Sequence, residues 1–298
     1  IDHSIACRTM LYNIHKGYWS RYALDLFQVP ITCLPPLTPT QHNYGHIFDS
    51  NILLSLVIGD QQAALIGQNG LQNNTVSANL GTSASVQYNV GEKPKMIDGL
   101  ISSILYSKSS TKTFMVEGTI NGCNSLFYHL ENTLRIKHKN MKWNQRIKLE
   151  ETEGVFIPGF NGLAAPYWKN GFEDIRIDLS ERPNEIIRAA MESIGFLFND
   201  ILNCIKTAGL DLPATLTASG GGAKSSLLQF IANITGKRIS HLLFKDKTAF
   251  GIYRILSNNK LNQISKEAIG EIFYPEKIHT LKSKIDKWEQ SIKVLERL

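Results

Sequence analysis

Gly59-Asp60-Gln61-Gln62-Ala63-Ala64-Leu65-Ile66-Gly67-Gln68-Asn69-Gly70 decides the reading of this chain. It follows directly on the apolar run Ile52-Leu53-Leu54-Ser55-Leu56-Val57-Ile58, which reads as a buried strand handing a glycine and a lone carboxylate to the start of a helix. Proteins that alternate strands and helices keep their chemistry at such strand ends. A carboxylate at Asp60 suits either a plain helix cap or a functional acid. A second abrupt feature follows in Asn79-Leu80-Gly81-Thr82-Ser83-Ala84-Ser85, where a glycine and hydroxyl side chains separate two β-like runs. A turn of this kind presents backbone N–H groups and a hydroxyl together, which suits phosphate oxygens.

Downstream, residues 75–80 and 84–89 read as a hairpin, and 101–106 and 112–117 as further strands. Leu126, Phe127, Leu130 and Leu134 recur at helical spacing. Pro183 opens a long helix running to about Thr207, with Ile186, Ala190, Ile194, Leu197, Ile201 and Ile205 in one apolar stripe. Ala214-Thr215-Leu216-Thr217-Ala218 is then a strand that enters Ser219-Gly220-Gly221-Gly222-Ala223-Lys224-Ser225, and a helix begins near Leu227. Glycines at a strand-to-helix junction let a nucleotide approach the backbone and the positive end of the helix, or simply allow a tight turn. Residues 238–243 are strand-like and 248–257 and 280–297 helical, with Lys282, Lys284, Lys287 and Glu289 on the solvated side of the last helix. Upstream, 1–29 reads as two short helical pieces, one around Arg8–Tyr12 and one at Tyr22–Phe27, before Pro30, Pro35, Pro36 and Pro39 mark a boundary. The whole is an α/β fold with a mixed sheet.

Of the 298 residues, 43% are hydrophobic and 19% charged, the balance of an ordinary globular protein. The net charge of +6 is spread over scattered lysines and arginines, so neither nucleic acid nor membrane is expected as a partner. Cys7, Cys33, Cys123 and Cys204 lie far apart and the histidines form no metal-ligand spacing, as in a cytoplasmic protein with reduced thiols.

The ordered strings Gly59-Asp60-Gln61-Gln62-Ala63-Ala64-Leu65, Gly81-Thr82-Ser83, Glu117-Gly118, Phe160-Asn161-Gly162-Leu163-Ala164-Ala165-Pro166-Tyr167-Trp168, Arg188-Ala189-Ala190-Met191-Glu192-Ser193-Ile194 and Gly220-Gly221-Gly222-Ala223-Lys224-Ser225 resemble the FGGY carbohydrate kinases. Arg8-Thr9-Met10-Leu11-Tyr12-Asn13-Ile14-His15 looks like the close of that family's first domain. The resemblance implies an actin-like, ribonuclease-H-like fold with a mixed sheet flanked by helices. It also implies ATP-dependent phosphorylation of a primary hydroxyl of a sugar or polyol, with ATP and Mg2+ as cofactors. By resemblance Asp60 is the catalytic base, Gly81 and Thr82 meet the β- and γ-phosphates, and Gly220, Gly221 and Gly222 pass beneath the α-phosphate and adenosine. Gln61 and Ser85 fall beside the substrate, and no residue is expected as a dedicated metal ligand.

Many of these strings are nearest to glycerol kinases, yet those carry an aromatic where this chain has Ser85, which argues against glycerol. Thr119-Ile120-Asn121-Gly122-Cys123-Asn124 is more similar to sedoheptulose and related ketose kinases. The family's first-domain phosphate loop does not occur here, so 1–45 reads as the end of the N-terminal domain with its linker and 46–298 as the C-terminal, nucleotide-binding domain. The N-terminal kinase domain is then an expected partner, and the sequence leaves room for a homo-oligomer. The alternative reading is a non-catalytic nucleotide-binding or regulatory module on the same fold.

Overall fold

The computed structural model describes residues 1–69, 71–243, 245–257 and 269–297; Gly70, at the end of the opening stretch, lies outside them. Asp2 caps a short helix α1 (His3–Ala6) by accepting from the Ser4 and Ile5 N–H groups. The helical piece expected around Arg8–Tyr12 does not form. Met10 sits at φ 64°, which breaks any helix, and the chain enters a two-stranded ribbon, β1 (Tyr12–Asn13) with β2 (Tyr18–Trp19). Helix α2 (Arg21–Phe27), capped by Ser20, follows as expected.

The buried strand expected at Ile52–Ile58 is also absent. These residues run extended but outside the sheet, tied back to 40–47 by bonds such as Tyr44 N–H to Leu54 O (2.9 Å) and Val57 N–H to Thr40 O (3.0 Å). Ile52 and Leu53 are solvent-exposed. An apolar run bounded by turn residues records hydrophobicity, not which neighbour will cover it.

From helix α3 (Asp60–Asn69) onward the expected order holds. Strands β3 (Val76–Leu80) and β4 (Ala84–Gly91) form the hairpin, β5 (Ile101–Lys108) and β6 (Thr111–Ile120) a second one, and α4 (Asn124–Thr133) the helix after it. Short helices α5 (His138–Met141) and α6 (Trp143–Arg146) lead to the ribbon β7 (Val155–Ile157) with β8 (Ile175–Ile177). Then come α7 (Pro183–Thr207), β9 (Thr215–Ser219), α8 (Ser225–Thr235), β10 (Arg238–Leu242), α9 (Lys247–Leu256), β11 (Ile269–Phe273) and α10 (Leu281–Arg297).

Seven strands make one mixed sheet in the order β11-β10-β9-β3-β4-β6-β5, with β3, β9 and β10 parallel and the other pairs antiparallel. The apolar stripe of α7 is wholly buried against one face, and each such Ile or Leu contributes roughly 1.5–3 kcal/mol of transfer free energy. The opposite face carries a polar ladder, Thr217, Ser77, Gln87 and Glu117, paired in register across four neighbouring strands. Helix α3 lies over this ladder: Asn69 donates to the Ser77 and Thr217 hydroxyls, and Gln87 reaches the Gln61 carbonyl. On its outer side α3 is clamped by α9. A Cβ on Gly251 would stand 1.9 Å from the Ala63 carbonyl oxygen, and one on Gly67 2.0 Å from that of Lys247, so both helix backbones touch directly.

One feature of the last helix differs from expectation. Lys284 is buried, not solvated, and pairs with Glu192, which Arg188 also holds at 2.7 Å. The pattern of α10 placed Lys284 with its polar residues, but α7 offers a buried carboxylate beneath it.

Candidate active site

Pairing of β3 with β9 brings together two sequence features separated by some 140 residues. Asn79 lies beside Ser219, so the Gly81–Ser83 loop leaving β3 and the glycine junction leaving β9 emerge at the same end of the sheet. They are tied to one another: Gly222 N–H donates to the Leu80 carbonyl at 2.7 Å. Gly220 has φ +106°, and a Cβ there would stand 2.3 Å from the Leu80 oxygen, so only glycine fits. The first turn of α4 then locks the loop. Cys123 and Ser125 N–H groups and the Ser125 hydroxyl donate to the Thr82 carbonyl, and Asn124 N–H donates to that of Gly81. The Thr82 side chain is left exposed at this corner.

The glycine junction also walls a cavity of about 360 Å³, reached by Gly221, Lys224, Asn124, Tyr128, His138 and Trp143. Tyr128 stacks on His138, and Trp143 on Phe127 at 4.0 Å between ring centroids. A flat, aromatic-edged slot beside exposed backbone suits a nucleoside. Of these residues Gly221, Lys224 and Asn124 stood in a sequence motif. Tyr128 and His138 come from different helices, so no spacing announced them. Cys123 is buried behind the slot, and burial pushes its thiol up to about 12.

A second group gathers at the start of α3. Asp60 is its first residue and is exposed, with its Oδ1 accepting from the Gln61 N–H at 2.8 Å. Buried Ser4 holds the Gly59 backbone and the Gln62 side chain, its hydroxyl accepting from Gly59 N–H at 3.0 Å and its carbonyl from Gln62 Nε2 at 3.1 Å. Gln87 links Gln61 to Glu117, which lies within β6 and does not end it. Its carboxylate is buried and accepts from Arg8 Nη1 at 3.0 Å, from the Ser85 hydroxyl at 2.6 Å and from Gln87 Nε2 at 3.5 Å. Ser85 is the second residue of β4, two past the Gly81–Ser83 loop, and so connects the two groups. Gln61 Oε1 is buried here without a hydrogen-bond partner.

The model of the FGGY family of carbohydrate kinases, C-terminal domain, matches residues 76–255, and that of the N-terminal domain matches residues 1–67. The chain belongs to the FGGY family of carbohydrate kinases. Among its FGGY relatives, glycerol kinase 1 of Clostridium tetani is 30% identical over 98% of this chain and 62% of its own length. A glycerol kinase of Caldanaerobacter subterraneus is 33% identical over 84% of this chain and 52% of its own. The chain thus spans between half and two thirds of the length of these relatives. In fold it resembles Plasmodium falciparum glycerol kinase with ADP (TM-score 0.84, 24% identity, 98% of this chain, 62% of that one). It also resembles gluconate kinase from Lactobacillus acidophilus (TM-score 0.85, 19% identity, 99% and 64%). The FGGY kinase fold, α/β with a mixed sheet between helices, is therefore the fold of this protein.

Proposed function

We propose that this protein transfers the γ-phosphoryl group of ATP to a primary hydroxyl of a sugar or polyol. The observation that carries the reading is the meeting of the Gly81–Thr82 loop with the Gly220–Gly222 junction at the Leu80 carbonyl, beside the aromatic slot and next to β4, whose Ser85 bonds Glu117 of β6. In this reading the slot takes the nucleoside, the glycine junction passes beneath the α-phosphate, and Gly81 with Thr82 receives the β- and γ-phosphates. The substrate hydroxyl lies against Asp60, which takes its proton as the oxygen attacks phosphorus and ADP leaves. Asp60 suits the role because it is exposed while Gly59 and Gln62 on either side are buried and hydrogen-bonded to Ser4, so the acid is held in place with its carboxylate open to solvent.

Among the described residues no group of three His, Cys, Asp or Glu side chains forms a metal cage. In this reading magnesium arrives on the phosphate oxygens of ATP and neutralises their charge there, as is usual for this ion. Among the described residues no helix is long and apolar enough to cross a membrane.

The test is a titration of Mg-ATP and a panel of polyols and ketoses into the protein. Substrate-dependent ADP release is the expected outcome. Nucleotide binding with no turnover on any panel member would put the chain with the non-catalytic modules of this fold.

A further inference from the structure

We propose that a cavity bordered by α7, α8 and α10 binds a small oxyanion, a phosphate or carboxylate group, at a site separate from the aromatic slot. The cavity holds about 470 Å³, and Arg188 and Glu192 of α7, Ser225 and Ser226 of α8 and Lys284 of α10 line it. Gly221 and Lys224 line the aromatic slot and the next two residues line this cavity, so both spaces border the start of α8.

Charge on the buried floor decides the sign of the ligand. Glu192 accepts from Arg188 Nε at 2.7 Å and from Lys284 Nζ, which puts two cations on one carboxylate. The Glu192 and Lys284 side chains are 2% and 6% exposed and that of Arg188 22%, so the triad carries one net positive charge where solvent screens it little. Lys148, Glu151 and Glu276 also line the cavity, but all three are solvent-exposed and their fields are screened. Phe230 and Phe273, both buried, add apolar wall and keep the local dielectric low.

The hydrogen-bond inventory points the same way. Arg188 donates Nη1 to the Ile147 carbonyl at 3.2 Å, and among the described residues nothing meets its Nη2. An ammonium has three N–H donors, and among the described residues Lys284 spends one, on Glu192. Lys224 gives the first turn of α8 no side-chain cap, so the Ser225 and Ser226 N–H groups have no acceptor within the helix. The Ser226 hydroxyl is buried without a partner although the residue is only half-buried, so nothing holds it there and rotation about χ1 turns it to the cavity. The unmet groups are thus N–H donors and one hydroxyl that can donate. An oxyanion supplies the acceptors and the opposite charge together, and bonds from guanidinium, ammonium and helix N–H groups to an anion are the strong ones.

The experiment is isothermal calorimetry with sodium phosphate and, separately, sodium acetate, at an ionic strength held constant with chloride, with and without ADP. Wild type is compared with Ser226→Glu, whose own carboxylate reaches the same donors, and with Ser226→Ala, which removes a hydroxyl that has no partner in the protein and so keeps the fold. The expected result is 1:1 binding of at least one anion with a Kd at or below about 1 mM, indifferent to ADP, and weakened by about 10-fold in Ser226→Ala and by more in Ser226→Glu. Which of the two anions binds tells a phosphate site from a carboxylate site. Equal binding by wild type and both variants, binding that ADP abolishes, or no heat from either anion beyond that of chloride overturns the inference. If Ser226→Glu does not fold, Ser226→Ala decides alone.

Discussion

Gly251→Ala tests how the helix that carries Asp60 is held. The new Cβ would stand 1.9 Å from the Ala63 carbonyl oxygen, against the 3.4 Å at which ordinary van der Waals contact begins, and 3.0 Å from the Gly67 nitrogen. All the obstructing atoms are backbone, so no rotamer change relieves them, and α3 and α9 must part by more than an ångström. A gap of that size forfeits roughly half of each dispersion contact along the interface, where Leu65, Ile66 and Ile255 meet. Overpacking of this kind costs about 1–3 kcal/mol, and backbone obstruction puts this site at the upper end. Alanine returns about 1 kcal/mol through its better helix propensity. The net is a loss of about 2 kcal/mol, or a Tm lower by roughly 4–8 °C. Thermal unfolding of both proteins by circular dichroism measures it. Since the same displacement shifts the start of α3, substrate-dependent ADP release should fall in the folded variant too. An unchanged or higher Tm would show that the close contact of Gly67 and Gly251 is not what sets the position of α3.

Two further expectations concern buried charge. Asp200 accepts from Trp288 Nε1 and the Tyr167 hydroxyl, both at 2.8 Å, and burial raises its carboxyl from 3.8 to about 6. The folded state therefore binds this proton more tightly than the unfolded chain, and stability declines as pH rises from about 4 to about 6, by about 2 kcal/mol. Urea midpoints at the two ends of that window should differ less in Asp200→Asn than in wild type, and an equal difference would dismiss Asp200 as the source. Lys284→Met leaves Glu192 buried with Arg188 alone and should cost about 3 kcal/mol, most of it recovered by adding Glu192→Gln. A loss below about 0.5 kcal/mol, as for a surface pair, would contradict the burial of this triad.

What could be read from sequence was what local pattern encodes. The stripe of α7, the β3–β4 hairpin around Gly81 and the glycines between β9 and α8 each carry their signal within a few residues. What could not be read depends on partners distant in the chain. Ile52–Ile58 has a strand's composition, but it is tied to residues 40–47 outside the sheet, and Ile52 and Leu53 remain exposed. Lys284 matches its solvated neighbours in sequence and differs from them only because Glu192 lies beneath it. The candidate site divides in the same way. Asp60, Gln61, Thr82, Ser85 and the Gly220–Gly222 junction announced themselves by motif, whereas the engagement of Arg8 with Glu117 joins residues 109 positions apart. The Tyr128–His138 slot needs two helices to be in place before it exists.

In the proposed reaction Asp60 deprotonates a sugar or polyol bound beside the Gly81–Thr82 loop. The most direct measurement is substrate-dependent ADP release by wild type and by Asp60→Asn, with nucleotide binding measured in parallel. The expected result is a fall in kcat on the order of 100-fold or more with nucleotide affinity preserved. Near-normal turnover in Asp60→Asn, or ADP release indifferent to every sugar and polyol offered, would contradict it.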